Sequence, residues 1–190
     1  MRLTRKFFEQ PTLEVARQLL GKRLIRNVEG KIKAGRVVEV EAYLGPEDLA
    51  SHSSRGRTPR TEIMFGPAGN AYVYLIYGMY HCLNIVTEKI NLPQAVLIRA
   101  LEPLEGFEGV KNVRFLANGP GKLCRWLEVE KSCNGLDLTK SQELFFEDSS
   151  DRIIEKDIVA TTRIGVDYAK HYARKLWRFY LKGNSFVSKF

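Results

Sequence analysis

Apolar positions along the chain follow two periods. Within 12–20, Leu13, Val15, Ala16, Leu19 and Leu20 recur at helical spacing and Gly21 follows, so the pattern predicts a short helix with a glycine stop. Elsewhere the period is two. Residues 22–28 and 31–44 read as a hairpin turning at Glu29-Gly30, with a long second strand ended by Gly45-Pro46. Residues 71–77 and 80–87 read as a second hairpin, joined tightly at Gly78-Met79, and 95–101 as a further strand. Shorter strands are expected at 144–147, 158–163 and 177–182. Helices are expected at 47–50, 104–116, 120–128 and near 166–174, and 51–62 reads as a polar surface loop. With no internal repeat or linker, residues 1–190 make one α+β domain. Its centre is expected to be a mostly antiparallel curved sheet or partial barrel, with flanking helices and a protruding β-hairpin.

Composition narrows the class. A chain of 190 residues with 44% hydrophobic content can bury about 70% of its unfolded surface, so it needs neither disulfides nor metal to hold a core. Cys82, Cys124 and Cys133 form no CxxC pair, and His52, His81 and His171 stand far apart, so no metal site is expected. Residues 63–87 carry no formal charge. They also contain Gly66, Pro67, Gly69, Asn70, Gly78, His81 and Asn84, which argues against a membrane helix. The basic start, Met1 to Lys6, lacks the apolar core of a signal peptide. The expectation is a soluble protein of a reducing compartment, with no membrane partner.

The net charge is +8, which favours a polyanionic partner. The excess is uneven. Residues 1–38 and 161–190 are strongly basic, with basic islands at 51–60 and 111–131, whereas 39–50 and 132–160 are acidic. Apolar residues interrupt both basic ends, so these read as folded elements with basic faces.

Candidate chemistry lies in two stretches. In a strand over 37–43, Glu39, Glu41 and Tyr43 share one face, and the two carboxylates sit ~7 Å apart, leaving room for a water. That suits a general base beside a tyrosine platform; pattern alone favours a half-exposed strand with solvated glutamates. Tyr72, Tyr74, Tyr77 and Tyr80 crowd the second hairpin, with Tyr77 at its tip, where it suits a wedge entering stacked bases. Aromatic strands are also ordinary core. Asn84 falls in an apolar run and needs partners, from backbone or from a base edge. Asn118-Gly119-Pro120-Gly121-Lys122 opens a helix without the spacing of a nucleotide-triphosphate loop.

Together these blocks resemble the alkyladenine (3-methyladenine, N-methylpurine) DNA glycosylase family. The resemblance is carried by Glu39-Val40-Glu41-Ala42-Tyr43-Leu44-Gly45-Pro46-Glu47-Asp48 with His52-Ser53, and by residues 72–80. Arg99-Ala100-Leu101-Glu102-Pro103, Gly119-Pro120-Gly121-Lys122-Leu123-Cys124 and Arg163-Ile164-Gly165-Val166 continue it in order over nearly the whole chain. It implies a monofunctional hydrolase that extrudes damaged purine nucleotides, alkylated or deaminated, from double-stranded DNA and cleaves the N-glycosidic bond to start base excision repair. Glu41 would activate water, and Arg99 would hold the water or nearby backbone. Tyr43, His52, Tyr74, Asn84 and Ile164 would line the base pocket, and Tyr77 would fill the gap in the duplex. Arg57, Arg60 and Lys122 are candidate phosphate contacts. No metal or organic cofactor is expected, and the protein is expected to act as a monomer, in the cytoplasm of a prokaryote or the nucleus of a eukaryote. The alternative from another class is a non-catalytic binding module for distorted nucleic acid.

Overall fold

The structure, a computed structural model, describes residues 1–189. Three helices, α1 (Arg5–Phe8), α2 (Thr12–Leu19) and α3 (Pro120–Trp126), flank eight strands. The strands are β1 (Arg23–Val28), β2 (Lys31–Tyr43), β3 (Ala71–Ile76), β4 (Tyr80–Thr87), β5 (Gln94–Glu105), β6 (Leu144–Glu147), β7 (Ile158–Thr161) and β8 (Arg178–Leu181). They form one antiparallel sheet in the order β3-β4-β5-β2-β1-β6, and β8 joins β2 and pairs in turn with β7. The sheet stays open rather than closing into a barrel, and the fold is single-domain α+β.

The length of β2 organises the sheet. Its first half pairs with β1 over 31–36 and its second half with β8 over 39–41, while β5 runs along its other side. Alternation then divides the sheet into two faces. Val38, Val40 and Ala42, with Ala71, Val73, Leu83, Ile85, Val96 and Ile98, form the core under Val15, Ala16 and Leu19 of α2. Glu39, Glu41 and Tyr43 point the other way, and both glutamates are fully buried. The solvated-strand alternative therefore fails: these carboxylates are covered by protein and must be paired.

Four expected elements differ. Residues 47–50 form turns, because the Asp48 side chain accepts from the backbone amides of Leu44 and Ala50. The stretch 104–116 is not a helix; Leu104 and Glu105 extend β5, Gly106 turns at φ 78°, and only Val113–Phe115 makes a 3₁₀ turn. Asp167–Arg174 is two 3₁₀ turns broken at Ala169 and Lys170, the latter at φ 53°. The segment 51–62 is more than a surface loop. Ser51, Ser53 and Thr61 are buried, with a hydroxyl of Ser53 donating to Pro93 O, which pins His52 beside the sheet.

The second hairpin protrudes as expected. Tyr77 and Gly78 both adopt positive φ, 52° and 68°, and Met79 N donates to Ile76 O, the geometry of a type I′ turn. Gly121 in α3 lets this hairpin lie close, since a Cβ there would meet Tyr80 at 3.0 Å. Among the described residues no helix is long and apolar enough to cross a membrane.

Candidate active site

The sheet face opposite the core carries a row of side chains across four strands: Tyr72 opposite Asn84, Asn84 opposite Leu97, Leu97 opposite Glu41. One step to one side of this row Tyr74 pairs with Cys82, and one step to the other side Tyr43 pairs with Ala95. His52, Met64, Pro120 and Ile164 cover this face, leaving a cavity of about 140 Å³. Pockets for drug-sized ligands run ~300–1,000 Å³, so this one suits a single small ring system.

Glu41 is fully buried behind the cavity wall, held by three residues that themselves line the cavity: Tyr43, Arg99 and Ile164. Oε1 accepts from the Ile164 amide at 2.8 Å and lies 3.3 Å from Arg99 Nη1; Oε2 accepts from the Tyr43 hydroxyl at 2.8 Å. Each carboxylate oxygen offers about two lone-pair sites, and Oε2 accepts one bond, which leaves it one site for a further donor. The space between the two carboxylates, expected to admit a water, is filled by the Arg99 guanidinium. Arg99 Nε donates to Glu39 Oε1 at 3.2 Å while Nη1 reaches Glu41. Arg99 therefore holds both glutamates. The β2–β5 register is irregular at Glu39, which aims Arg99 at the carboxylates. Burial works against the charge of Arg99, but Glu41 and Glu39 outweigh it and hold the guanidinium above its usual range.

Beside the charge of Arg99, the wall's Tyr43, Tyr74, Tyr72, Cys82 and His52 are held in their neutral forms. Burial, then the neighbouring Glu41, pushes the Tyr43 hydroxyl well up; burial, then Cys82, does the same for Tyr74, and burial raises Tyr72 and Cys82. Burial, with Arg60 and Arg55 nearby, lowers His52 to about 4. His52 Nδ1 sits 2.8 Å from the Tyr72 hydroxyl, and its ring meets Tyr74 edge-on at 4.5 Å. Asn84 is buried and donates to Tyr72 O at 3.2 Å, so backbone satisfies one of its donors while the residue still lines the cavity.

The structure thus brings together Glu41, Arg99, Tyr43, His52, Tyr74, Asn84 and Ile164. Tyr77 stands apart at the hairpin tip, 84% exposed. Arg60 is exposed, with its guanidinium 5.1 Å from the Tyr74 ring centroid. Arg57 bonds Asn91 and covers Phe65, and Lys122 bonds Asn118; neither lines the cavity.

Sequence reasoning gave no role to the pair behind the pocket. Arg163 and Asp48 are fully buried and joined by two bonds, at 2.5 and 2.8 Å. The same guanidinium donates to Ala42 O and lies 4.7 Å from the Tyr43 ring centroid. This pair fixes the 44–50 turn, backs Tyr43 and sets Ile164 on Glu41. Asp48 and Arg163 both fall within the blocks that carry the family resemblance, but nothing in the sequence marks them as a pair. Tyr72, Cys82 and Tyr168 are further lining residues.

A sequence profile described as methylpurine-DNA glycosylase matches residues 6–185. A protein of Methanocella arvoryzae, bearing the provisional name 3-methyladenine DNA glycosylase, is 52% identical over 98% of this chain and 96% of its own length. Proteins with the same provisional name in Alkaliphilus oremlandii and Legionella pneumophila are 48% and 49% identical. They cover 100% and 99% of this chain and 100% and 98% of their own lengths.

Proposed function

The chain belongs to the methylpurine-DNA glycosylase family, and we propose that it acts on double-stranded DNA by extruding a damaged purine nucleotide into the Tyr43–Tyr74 cavity and hydrolysing its N-glycosidic bond. The observation that carries this reading is Glu41: a buried carboxylate that accepts two hydrogen bonds and pairs with Arg99, its three partners all lining one aromatic slot.

In this reading a water on Glu41 Oε2 attacks C1′ of the extruded nucleotide. The C1′–O bond forms, the C1′–N bond breaks with its electron pair leaving on the purine, and the water proton passes to Glu41. A purine alkylated on the ring is already cationic and departs neutral, so positioning and one base carry most of the step. Tyr43 and Tyr74 hold the base by stacking, and His52, neutral at pH 7, offers a ring nitrogen as a hydrogen-bond partner. Asn84 narrows the slot and so opposes a normal guanine with its 2-amino group. No lysine is among the residues lining the cavity, so attack by an amine and strand cleavage through a Schiff base find no nucleophile there.

Extrusion costs a few kcal/mol, less where damage has weakened pairing. Tyr77 supports it: an exposed ring on a left-handed turn residue, a backbone state costing ~1–2 kcal/mol for an L-residue. That arrangement suits insertion into the stack. Deaminated and alkylated purines both fit an aromatic slot, and the protein acts as a monomer that begins base excision repair.

The test uses duplexes each carrying one lesion, a methylated purine, hypoxanthine or etheno-adenine, incubated without metal. Release of free base, with the strand broken only after alkali, is expected for at least one lesion. No release from any of them overturns the enzymatic reading.

A further inference from the structure

Glu39 has no part in the chemistry above, yet it is fully buried next to it and is as heavily bonded as Glu41. Its Oε1 accepts from Arg99 Nε at 3.2 Å and from Arg178 Nη1 at 2.8 Å, and its Oε2 accepts from the Ser188 amide at 2.7 Å. Arg178 is fixed in turn by the carbonyls of Thr162 and Lys189. Four buried charges therefore alternate in sign through the sheet face: Arg178, Glu39, Arg99, Glu41.

We propose that Glu39 is a positioning residue for the hydrolysis, holding Arg99 through Nε so that only Nη1 faces Glu41, as an ion pair at 3.3 Å on Oε1, and Oε2 stays open to water. Without Glu39, Arg99 has no anionic partner but Glu41 among the described residues. Arginine binds carboxylates with two parallel N–H groups wherever geometry allows. A bidentate Arg99 would occupy both oxygens of Glu41 and displace Tyr43 or the water from Oε2. An undivided positive charge also favours the ionised carboxylate and makes it a weaker proton acceptor. The inference rests on Glu41 as the base.

Charges and titratable groups around Glu41 come from every neighbouring element: Glu39 and Tyr43 on β2, Cys82 and Tyr74 on the hairpin, Arg99 on β5, Arg178 on β8, and Arg163 behind Tyr43. His52 titrates at about 4 and is left in place by both variants below.

The test compares Glu39→Gln and Arg178→Gln with the unaltered protein, measuring single-turnover excision of one lesion from one duplex across pH. Glu39→Gln adds a positive charge to the cluster and Arg178→Gln removes one. The acid limb of the pH–rate profile is expected to move to lower pH in Glu39→Gln and to higher pH in Arg178→Gln. The plateau rate of Glu39→Gln falls about tenfold or more, with duplex binding retained. A merely structural role lowers activity without opposite shifts. Acid limbs that stay in place, or move the same way, overturn the proposal. If Glu39→Gln does not fold, an unmoved limb in Arg178→Gln alone overturns it. If Glu41→Gln is inactive while these limbs stay in place, this inference fails and the proposed function stands. If Glu41→Gln excises normally, the proposed function fails and takes this inference with it.

Discussion

The Ile164 amide donates to Glu41 Oε1 at 2.8 Å, joining residues 123 positions apart. Ile164 follows Arg163, whose guanidinium is clamped by Asp48, so one buried ion pair governs where a donor meets the proposed base. The same pair lies behind Tyr43 and closes the turn leading to His52.

Breaking that pair from one side leaves a buried charge alone. Arg163→Met is expected to cost about 3–5 kcal/mol of stability, the usual loss when one partner of a buried pair is removed. Adding Asp48→Asn should recover part of it. Urea denaturation of the two single variants and the double measures this. Losses that simply add would contradict coupling between the two residues.

Tyr77 separates stability from function. Glycine accepts positive φ freely, so Tyr77→Gly is expected to match or exceed the parent in stability, by up to about 1 kcal/mol. Excision from duplex should fall by at least tenfold, with release from a free nucleoside unchanged. Thermal unfolding and parallel assays on both substrates check this; equal losses on the two substrates would remove Tyr77 from duplex opening.

His52 sets a pH window. Its folded pKa, about 4, lies below the ordinary 6.5, so the unfolded chain binds a proton more readily between these values. Its contribution to stability is complete above 6.5 and is lost as pH falls toward 4. At 1.36 kcal/mol per unit, discounted for the partial exposure of the ring, this amounts to about 1–2 kcal/mol. An NMR titration should show the imidazole neutral at pH 5.5. A midpoint near 6.5 would contradict its burial against Tyr72 and Tyr74.

Duplex binding should weaken steeply with salt, because the basic surface displaces counterions from phosphate. Lys122→Ala, at a residue bonded to Asn118 and lying 5.6 Å from the Phe115 ring, is expected to reduce the log–log slope by about one. Fluorescence anisotropy over a salt series reads the slope directly, and an unchanged slope would clear Lys122 of phosphate contact.

How much was legible follows from range. The period-two pattern of 37–43 placed Glu39, Glu41 and Tyr43 on one face, and the hairpin pattern placed Tyr77 at an exposed tip; both depend only on neighbours in the chain. Sequence left open whether that glutamate face met solvent, since covering it requires β8 and residues 184–189 to return from far away. The helix expected over 104–116 failed for a similar reason, because β2 offers Leu104 and Glu105 a partner strand that local pattern does not reveal. Asp48 and Arg163 each look unremarkable alone, and only folding makes them a pair. The resemblance supplied the roles of Glu41 and Arg99, but not that Arg99 is shared with Glu39.

The most direct measurement is Glu41→Gln, assayed in parallel for base release and for binding to the same lesion-bearing duplex. Glutamine keeps the shape and can still accept from the Ile164 amide, but it takes up no proton. Release should fall by about 10²–10⁴-fold, the usual contribution of a general base, while binding stays within about threefold. Release at the parent rate, or loss of binding and release together in a folded variant, would contradict Glu41 as the base that activates water.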